Sequence, residues 1–317
     1  MINDQRIMLV INIATTFTLH NIFHMLGTNI FSVGEYVLNN KIDFIDSMLL
    51  VHKETDPTQI ENCKRCSEWV LYVLSGFVKQ LYVSENDRIY RNSSNVKVMQ
   101  KEAFDRILDK RCIRSEWKIV FDKPFEKKES NMNHSSIINK LKTNLGIHTS
   151  ATKVKYIFRR KTRSILDYLT KEPIENILVR YGIECASFDD MSIEDQIDFV
   201  KDAKVLIIGH GAACTNMIFT DDKCTIVELT LDKVWYAEYW LHDYENLAKY
   251  LHKEYLRFPV IGFLDLNVDE LPFRYGTVES RNASPEAYSI SEKHRSILFN
   301  KTQLIDTSEL IKRILPV

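Results

Sequence analysis

The chain has 317 residues, 45% of them hydrophobic and 27% charged, with a formal net charge of −1. That balance is the composition of a soluble globular protein, and it leaves no global basic field to favour nucleic acid. The length suits one large or two medium domains.

The N-terminal stretch MINDQRIMLVINIATTFTL holds an apolar run from Ile7 to Leu19, interrupted by Asn12 and threonines. A membrane-spanning helix needs about 20 apolar residues. No basic leader and no small-residue cleavage site accompany the run. Ile7–Ile13 is therefore expected to be a buried first strand, and no other segment could span a membrane. A soluble, cytoplasmic protein is expected. CSEWVLYVLSGFVKQLYV (66–83) is apolar enough for a helix, KVMQKEAFDRIL (97–108) mixes strand and helix signals, and EWKIVF (116–121) reads as a strand. A first α/β unit is expected from these pieces. The polar stretch 126–152, with Gly146 and a Ser/Thr cluster, suits a connector, and a domain boundary is placed at about 145–152.

The second half has a clearer rhythm. KVKYIF (153–158) reads as a strand. Pro173 opens a helix in its first turn and Gly182 closes it. IECASF (183–188) is a second strand. Ser192 caps the next helix, with Asp195 in capping-box position and Ile193, Ile197 and Val200 on one face. KVLIIG (204–209) is a third strand, 212–219 a short helix, and TIVEL (225–229) a fourth strand. Alternating strands and helices mean an α/β fold with parallel sheets. The unbroken run VLII is what a strand buried on both faces requires. LIDTSELIKRIL (304–315) ends the chain with an amphipathic helix starting near Thr307.

Six cysteines stand at 63, 66, 112, 185, 214 and 224. Cys63 and Cys66 form a lone pair without a second pair at zinc-ligand spacing, and Cys185, Cys214 and Cys224 fall in apolar contexts. Buried free thiols are expected, not disulfides or a metal centre.

Chemistry is expected at IIGHGAACTNMIF. Gly209 and Gly211 let the backbone bend and approach a ligand. The helix that follows offers unpaired N–H groups and the positive end of its dipole, so an anion belongs there. Glu228, at the end of the next strand, is placed to bind ribose hydroxyls. A dinucleotide and a sugar nucleotide both fit. Three features favour the sugar nucleotide. Two strands of the domain precede this turn, whereas a dinucleotide fingerprint opens its domain. His210 would crowd a turn that needs only backbone, yet could donate to a leaving diphosphate. FRRKTRSIL puts Arg159, Arg160, Lys161 and Arg163 after the first strand of the domain, where ligands of such sheets bind. The chain has no Asp-x-Asp, so arginines, His210 and a helix dipole are expected to neutralise the diphosphate without metal.

The combination resembles glycosyltransferase family 61. The resemblance runs from Tyr156 to Leu229 through Arg159 and Arg163, MSIEDQI with Gln196, IIGHGAACTNMIF and TIVEL. YWLHDYENLAKYLHKEYL adds the family's following helix, and HNIFHMLGTNIF resembles its N-x-x-H element at Asn21 and His24. The resemblance implies a GT-B architecture of two facing Rossmann-like domains. Residues 1–148 would form the acceptor side, joined by the C-terminal helix 304–317, and residues 149–303 the nucleotide-sugar side. It implies inverting transfer, usually from a UDP-sugar, to a glycan hydroxyl, with no separate cofactor. Xylose as the sugar is suggested by the family alone. Arg159, Arg163, Gly209, His210, Gly211, Ala212, Asn216 and Glu228 would bind the donor, and Asn21 the acceptor.

Two departures stand out. Asp167 replaces a frequent Asn. Relatives often carry an Asp shortly after the N-x-x-H histidine, where this chain has Gly27 and Thr28. The general base is then sought in His24, with Glu35 and Asp46 behind it. Trp235 and Tyr236 could border the donor sugar. Two alternatives stay open: an NAD-linked Rossmann oxidoreductase using Gly209 and Gly211, and an inactive transferase fold that binds glycans.

Overall fold

The computed structural model describes residues 6–13, 30–52, 60–84, 96–100, 117–121, 133–160, 164–230, 243–264 and 301–315. The chain divides into two compact units, Met1–His148 and Thr149–Val317. The division falls inside the boundary expected from composition.

The first unit is built on a five-stranded parallel sheet, β1 (Arg6–Ile13), β2 (Ser47–His52), β3 (Leu81–Ser84), β4 (Val96–Met99) and β5 (Trp117–Phe121), in the order β4-β3-β2-β1-β5. Its helices are α1 (Phe31–Asn39), α2 (Ile60–Ser75) and α3 (His134–Asn144). The apolar run at 66–83 is thus helix as far as Ser75 and strand from Leu81. Gly76 and the bend after it end α2, and Leu81 and Val83 continue into the sheet. The polar stretch read as a connector hides α3. Asn133 caps it by accepting from the Ser136 backbone, and Ile137, Ile138 and Leu141 lie on its buried side. Three apolar residues are enough when a tertiary partner waits for them.

That partner includes α1. At Gly34 a Cβ would stand 2.2 Å from Ile137 Cγ2 and 3.0 Å from Phe77 Cζ. The glycine is what lets the two helices close.

The second unit carries β6 (Lys153–Phe158), β7 (Ile165–Asp167), β8 (Glu184–Ser187), β9 (Ala203–Gly209), β10 (Thr225–Thr230) and β11 (Tyr255–Pro259). Its helices are α4 (Ile174–Arg180), α5 (Ile193–Val200), α6 (Asp243–Tyr250) and α7 (Thr307–Ile314). The parallel sheet has the order β11-β10-β9-β6-β8. Local signals behave as the sequence implies. Gly182 takes a φ of 76° after α4, and the Ser192 hydroxyl accepts from the Asp195 backbone at 3.1 Å. The core runs through Tyr156, Ile174, Leu178, Ile207, Val227 and Phe258, all buried.

A small second sheet went unread in the sequence. β7 pairs parallel with β13 (Gln303–Ile305), which pairs antiparallel with β12 (Gly262–Phe263). This sheet carries α7 into the second unit. Leu310 and Ile314 join the core beside Ile174 and Leu178. The assignment of helix 304–317 to the first domain is corrected accordingly: its apolar face is satisfied within the second unit.

Asp167 holds the junction. Its carboxylate accepts from the backbones of Leu169 and Thr170, from the Thr170 hydroxyl, and from the Thr307 backbone at the start of α7. The departure from Asn therefore has a structural reason: four donors and a helix N-terminus favour a full negative charge. Burial pulls this carboxyl upward, but the hydrogen bonds from Thr170 and Thr307 outweigh it and hold the group below its ordinary range.

Two outcomes follow. Gly34→Ala gains helix propensity of about 1 kcal/mol. The clash with Ile137 wins, since overpacking costs about 1–3 kcal/mol. A lowered denaturation midpoint is expected, recovered by pairing it with Ile137→Ala. Asp167→Ala should destabilise the protein by about 2 kcal/mol, the scale of hydrogen bonds to a charge. A carboxyl held low in the folded state favours folding above its unfolded pKa of about 3.9, and that gain is lost as pH falls through the lower, folded value. Thermal melts of wild type should therefore lose stability below about pH 4, and the loss should be shallower in Asp167→Ala.

Candidate functional site

In the second unit's sheet, the chain builds outward in one direction from β6 to β8 and in the other from β6 to β9, β10 and β11. The strand order reverses between β6 and β9. The crossover connections leave on opposite faces at such a point, and a crevice opens beyond the carboxyl ends of the two strands. A small cleft lies there, lined by Phe158, Arg159, Gly209, His210, Ala213 and Gln303 among others.

The turn at the end of β9 is shaped by Gly211, whose φ of 147° belongs to the region glycine alone enters without strain. Gly209 is different. A Cβ there would meet Ile165 Cδ1 at 3.5 Å, an ordinary contact. Gly209 therefore matters as cleft lining, not as a conformational need. The segment expected as a short helix is a 3-10 helix, Ala212–Phe219. Cys214, Asn216, Met217 and Phe219 are buried along it, and the Asn216 amide donates to Ala213 O at 3.2 Å. Asn216 thus braces the helix from inside.

His210 is fixed on three sides. Its backbone N–H donates to Leu229 O at 3.1 Å. Its Nδ1 lies 2.6 Å from Glu228 Oε1. The Tyr244 ring packs edge-on against it with centroids 5.3 Å apart. Glu228 is fully buried, and its other oxygen, Oε2, accepts from the Tyr255 hydroxyl. A buried carboxyl group must be met by hydrogen-bond partners. Here both oxygens are met, and the imidazole is held with Nδ1 toward the acid. Burial and the Glu228 charge raise the Tyr255 hydroxyl far above the ordinary phenol range, so it serves as a donor only. Burial above all does the same to Tyr244.

Arg159 leaves the carboxyl end of β6 and lines the cleft, half-buried. Its charge is close enough to Cys214 and Tyr244 to oppose part of their shifts. Among the described residues no carboxylate pairs with it. Arg160 instead turns outward, its backbone donating to Asp189 and its guanidinium lying 3.8 Å from Asp190.

The structure thus gathers Arg159, Gly209, His210 and Gly211 around one turn, with Ala212 and Asn216 in the helix that leaves it and Glu228 beneath His210. Asn21, His24 and Arg163 lie outside the described residues, as do Lys161, Trp235 and Tyr236. Glu35 stands in the second turn of α1. Asp46 precedes β2 at the amino end of its sheet, 3.0 Å from Lys79 Nζ; ligands of parallel sheets sit at the other end. Two residues escaped the sequence reading. Tyr255 could have been found as an alternating strand residue next to β10. Gln303 carried no signal, because its place at the cleft depends on a strand that arrives from the far end of the chain.

Cys185, Cys214 and Cys224 are free thiols. Burial pushes Cys185 up to about 12 and Cys224 up to about 11. Cys214, fully buried, is raised well above the ordinary thiol range, chiefly by desolvation. Such thiols are packing groups, not nucleophiles. Among the described residues no group of three His, Cys, Asp or Glu side chains converges as a metal site, and no helix is long and apolar enough to cross a membrane.

No curated protein sequence matches the chain significantly. The model of the family Glycosyltransferase 61 matches residues 18–227. That span takes in the N-x-x-H element, all of β6 to β9 and the glycine turn, and it covers more than half of the chain, so the protein belongs to glycosyltransferase family 61.

Proposed function

We propose that the protein transfers a sugar from a UDP-sugar to a glycan hydroxyl with inversion at the anomeric carbon, without a metal ion. Membership of a glycosyltransferase family supplies the sugar donor and the acceptor in general terms. The observation that carries the finer reading is the cleft at the strand-order reversal, where Arg159 and a buttressed His210 flank the glycine turn. In this reading the diphosphate lies against the turn and the start of the 3-10 helix. Arg159 and, from the adjacent segment, Arg163 take up its charge. His210 donates to the departing diphosphate as the bond to the sugar breaks. The acceptor hydroxyl attacks the opposite face of the anomeric carbon while a base on the first unit removes its proton, His24 first and Glu35 second. The two parallel-sheet units are the parts a GT-B architecture requires.

Glu228 takes a different part from the ribose contact that its strand-end position implies. It is fully buried and does not line the cleft, so a ribose there would not reach it. It acts here through His210, by holding Nδ1 and so orienting the ring. The oxidoreductase alternative loses its ground with the family assignment. Xylose stays a suggestion of the family, with no residue in the cleft that selects it.

Thermal unfolding in EDTA tests the ligand. UDP at about 100 times its dissociation constant adds about 2.7 kcal/mol, a midpoint rise of a few degrees for a chain of this size. A rise with NAD⁺ and none with UDP would reject the reading, and activity lost in EDTA and restored by Mn²⁺ would reject its metal-free form. Arg159→Ala should weaken UDP binding and slow transfer by about tenfold or more, roughly 1.4 kcal/mol; wild-type titration curves would remove the arginine from the site. Glu228→Gln should lower kcat by about tenfold while the UDP dissociation constant changes less than about twofold. An equal loss in both would make Glu228 a donor ligand after all.

A further inference from the structure

β13 alternates as its neighbour β7 does, with its two end residues buried. Gln303 and Ile305 are two apart and share a face of the strand. Both are buried, Ile305 at 0% exposure and Gln303 at 5%. Ile305 enters the apolar core, as that face demands. Gln303 occupies an equivalent place with a primary amide. Its amide atoms are not sealed from solvent, since they are absent from the buried polar atoms that lack a partner. Among the described residues none hydrogen-bonds this side chain. It faces the cleft between β6 and β9 instead.

The backbone holds it there. Gln303 is the register partner of Ile165 on β7, its N–H donates to Ser164 O at 2.9 Å, and the flanking Ser164 and Thr302 hydroxyls lie 3.2 Å apart. Ile165 in turn faces Gly209. The amide is therefore locked on the wall of the cleft next to the glycine turn.

We propose that Gln303 is a nucleoside-binding residue, one that hydrogen-bonds the nucleoside part of the donor; this rests on the nucleotide-sugar reading above. A carboxamide both donates and accepts. A diphosphate only accepts, and Arg159 with the turn already offers donors to it. The groups that need a donor and an acceptor together are the edge of a nucleobase and the hydroxyls of a ribose. Phe158, Ile165 and Ile208 line the same cleft with apolar atoms. The residue lies far beyond the matched span 18–227, so the C-terminal strand adds to the donor site a contact that the family motif does not contain.

Gln303→Met keeps the length and removes the amide. Without ligand its melting temperature should match that of wild type, because the amide lines the cleft and no hydrogen bond to the described residues is lost. Calorimetric titration should show a UDP dissociation constant raised about tenfold, the scale of one hydrogen bond, with inorganic pyrophosphate binding unchanged. Unchanged UDP affinity would overturn the proposal. An equal loss for UDP and pyrophosphate would place the amide on the phosphates and overturn it too. A fall in melting temperature of the unliganded variant, repeated in Gln303→Leu, would make the glutamine a structural residue. Wild-type protein that binds neither UDP nor pyrophosphate would defeat the nucleotide-sugar reading itself, and the proposal with it.

Discussion

The arrangement of the second unit depends on one constraint: parallel strands need crossover connections, and those connections keep one hand. A sheet that starts in its middle must therefore send its first helices to opposite faces. Where β6 and β9 lie side by side, neither connection covers the carboxyl ends of the strands. The cleft is a consequence of strand order before it is a matter of any side chain. The residues that give it chemical character are those that happen to end these strands, Arg159 on β6 and Gly209, His210 and Gly211 on β9.

Electrostatics then distinguishes this cleft from a mere gap. Glu228 is fully buried, a position that a carboxyl group tolerates only with hydrogen-bond partners. His210 and Tyr255 supply them, and each is itself constrained, His210 by the Leu229 carbonyl and the Tyr244 ring. A histidine held in this way loses little freedom when it meets a ligand. The same region keeps its thiols inert by burial, so the reactive capacity of the site rests on a cation, an imidazole and backbone N–H groups, a set that suits a developing diphosphate charge.

Much of this was legible in the sequence. The capping pair Ser192 and Asp195, Gly182 after α4 and the run VLII each act through neighbours in the chain, and each element they mark is where they place it. The glycine turn was legible for the same reason, since a strand, a φ-permissive residue and a helix are local facts. What was missed is instructive. The helix α3 looked like a connector because only three apolar residues mark it, and its stability comes from α1 across the notch at Gly34. The departure at Asp167 looked like a family variation until its four donors were seen, one of them from the start of the last helix.

The sequence by itself determined an α/β chain with parallel sheets, the domain boundary, the family and the turn that bears His210. These rest on periodicity, caps and turn chemistry within a few residues of one another. Only the tertiary structure decided that the terminal helix belongs to the second unit, that Glu228 lies beneath His210 instead of facing the open cleft, and that Gln303 stands in its wall. Those outcomes are set by pairings between distant strands, β7 with β13 and β10 with β11, and no local rule of spacing encodes which strand will become whose neighbour.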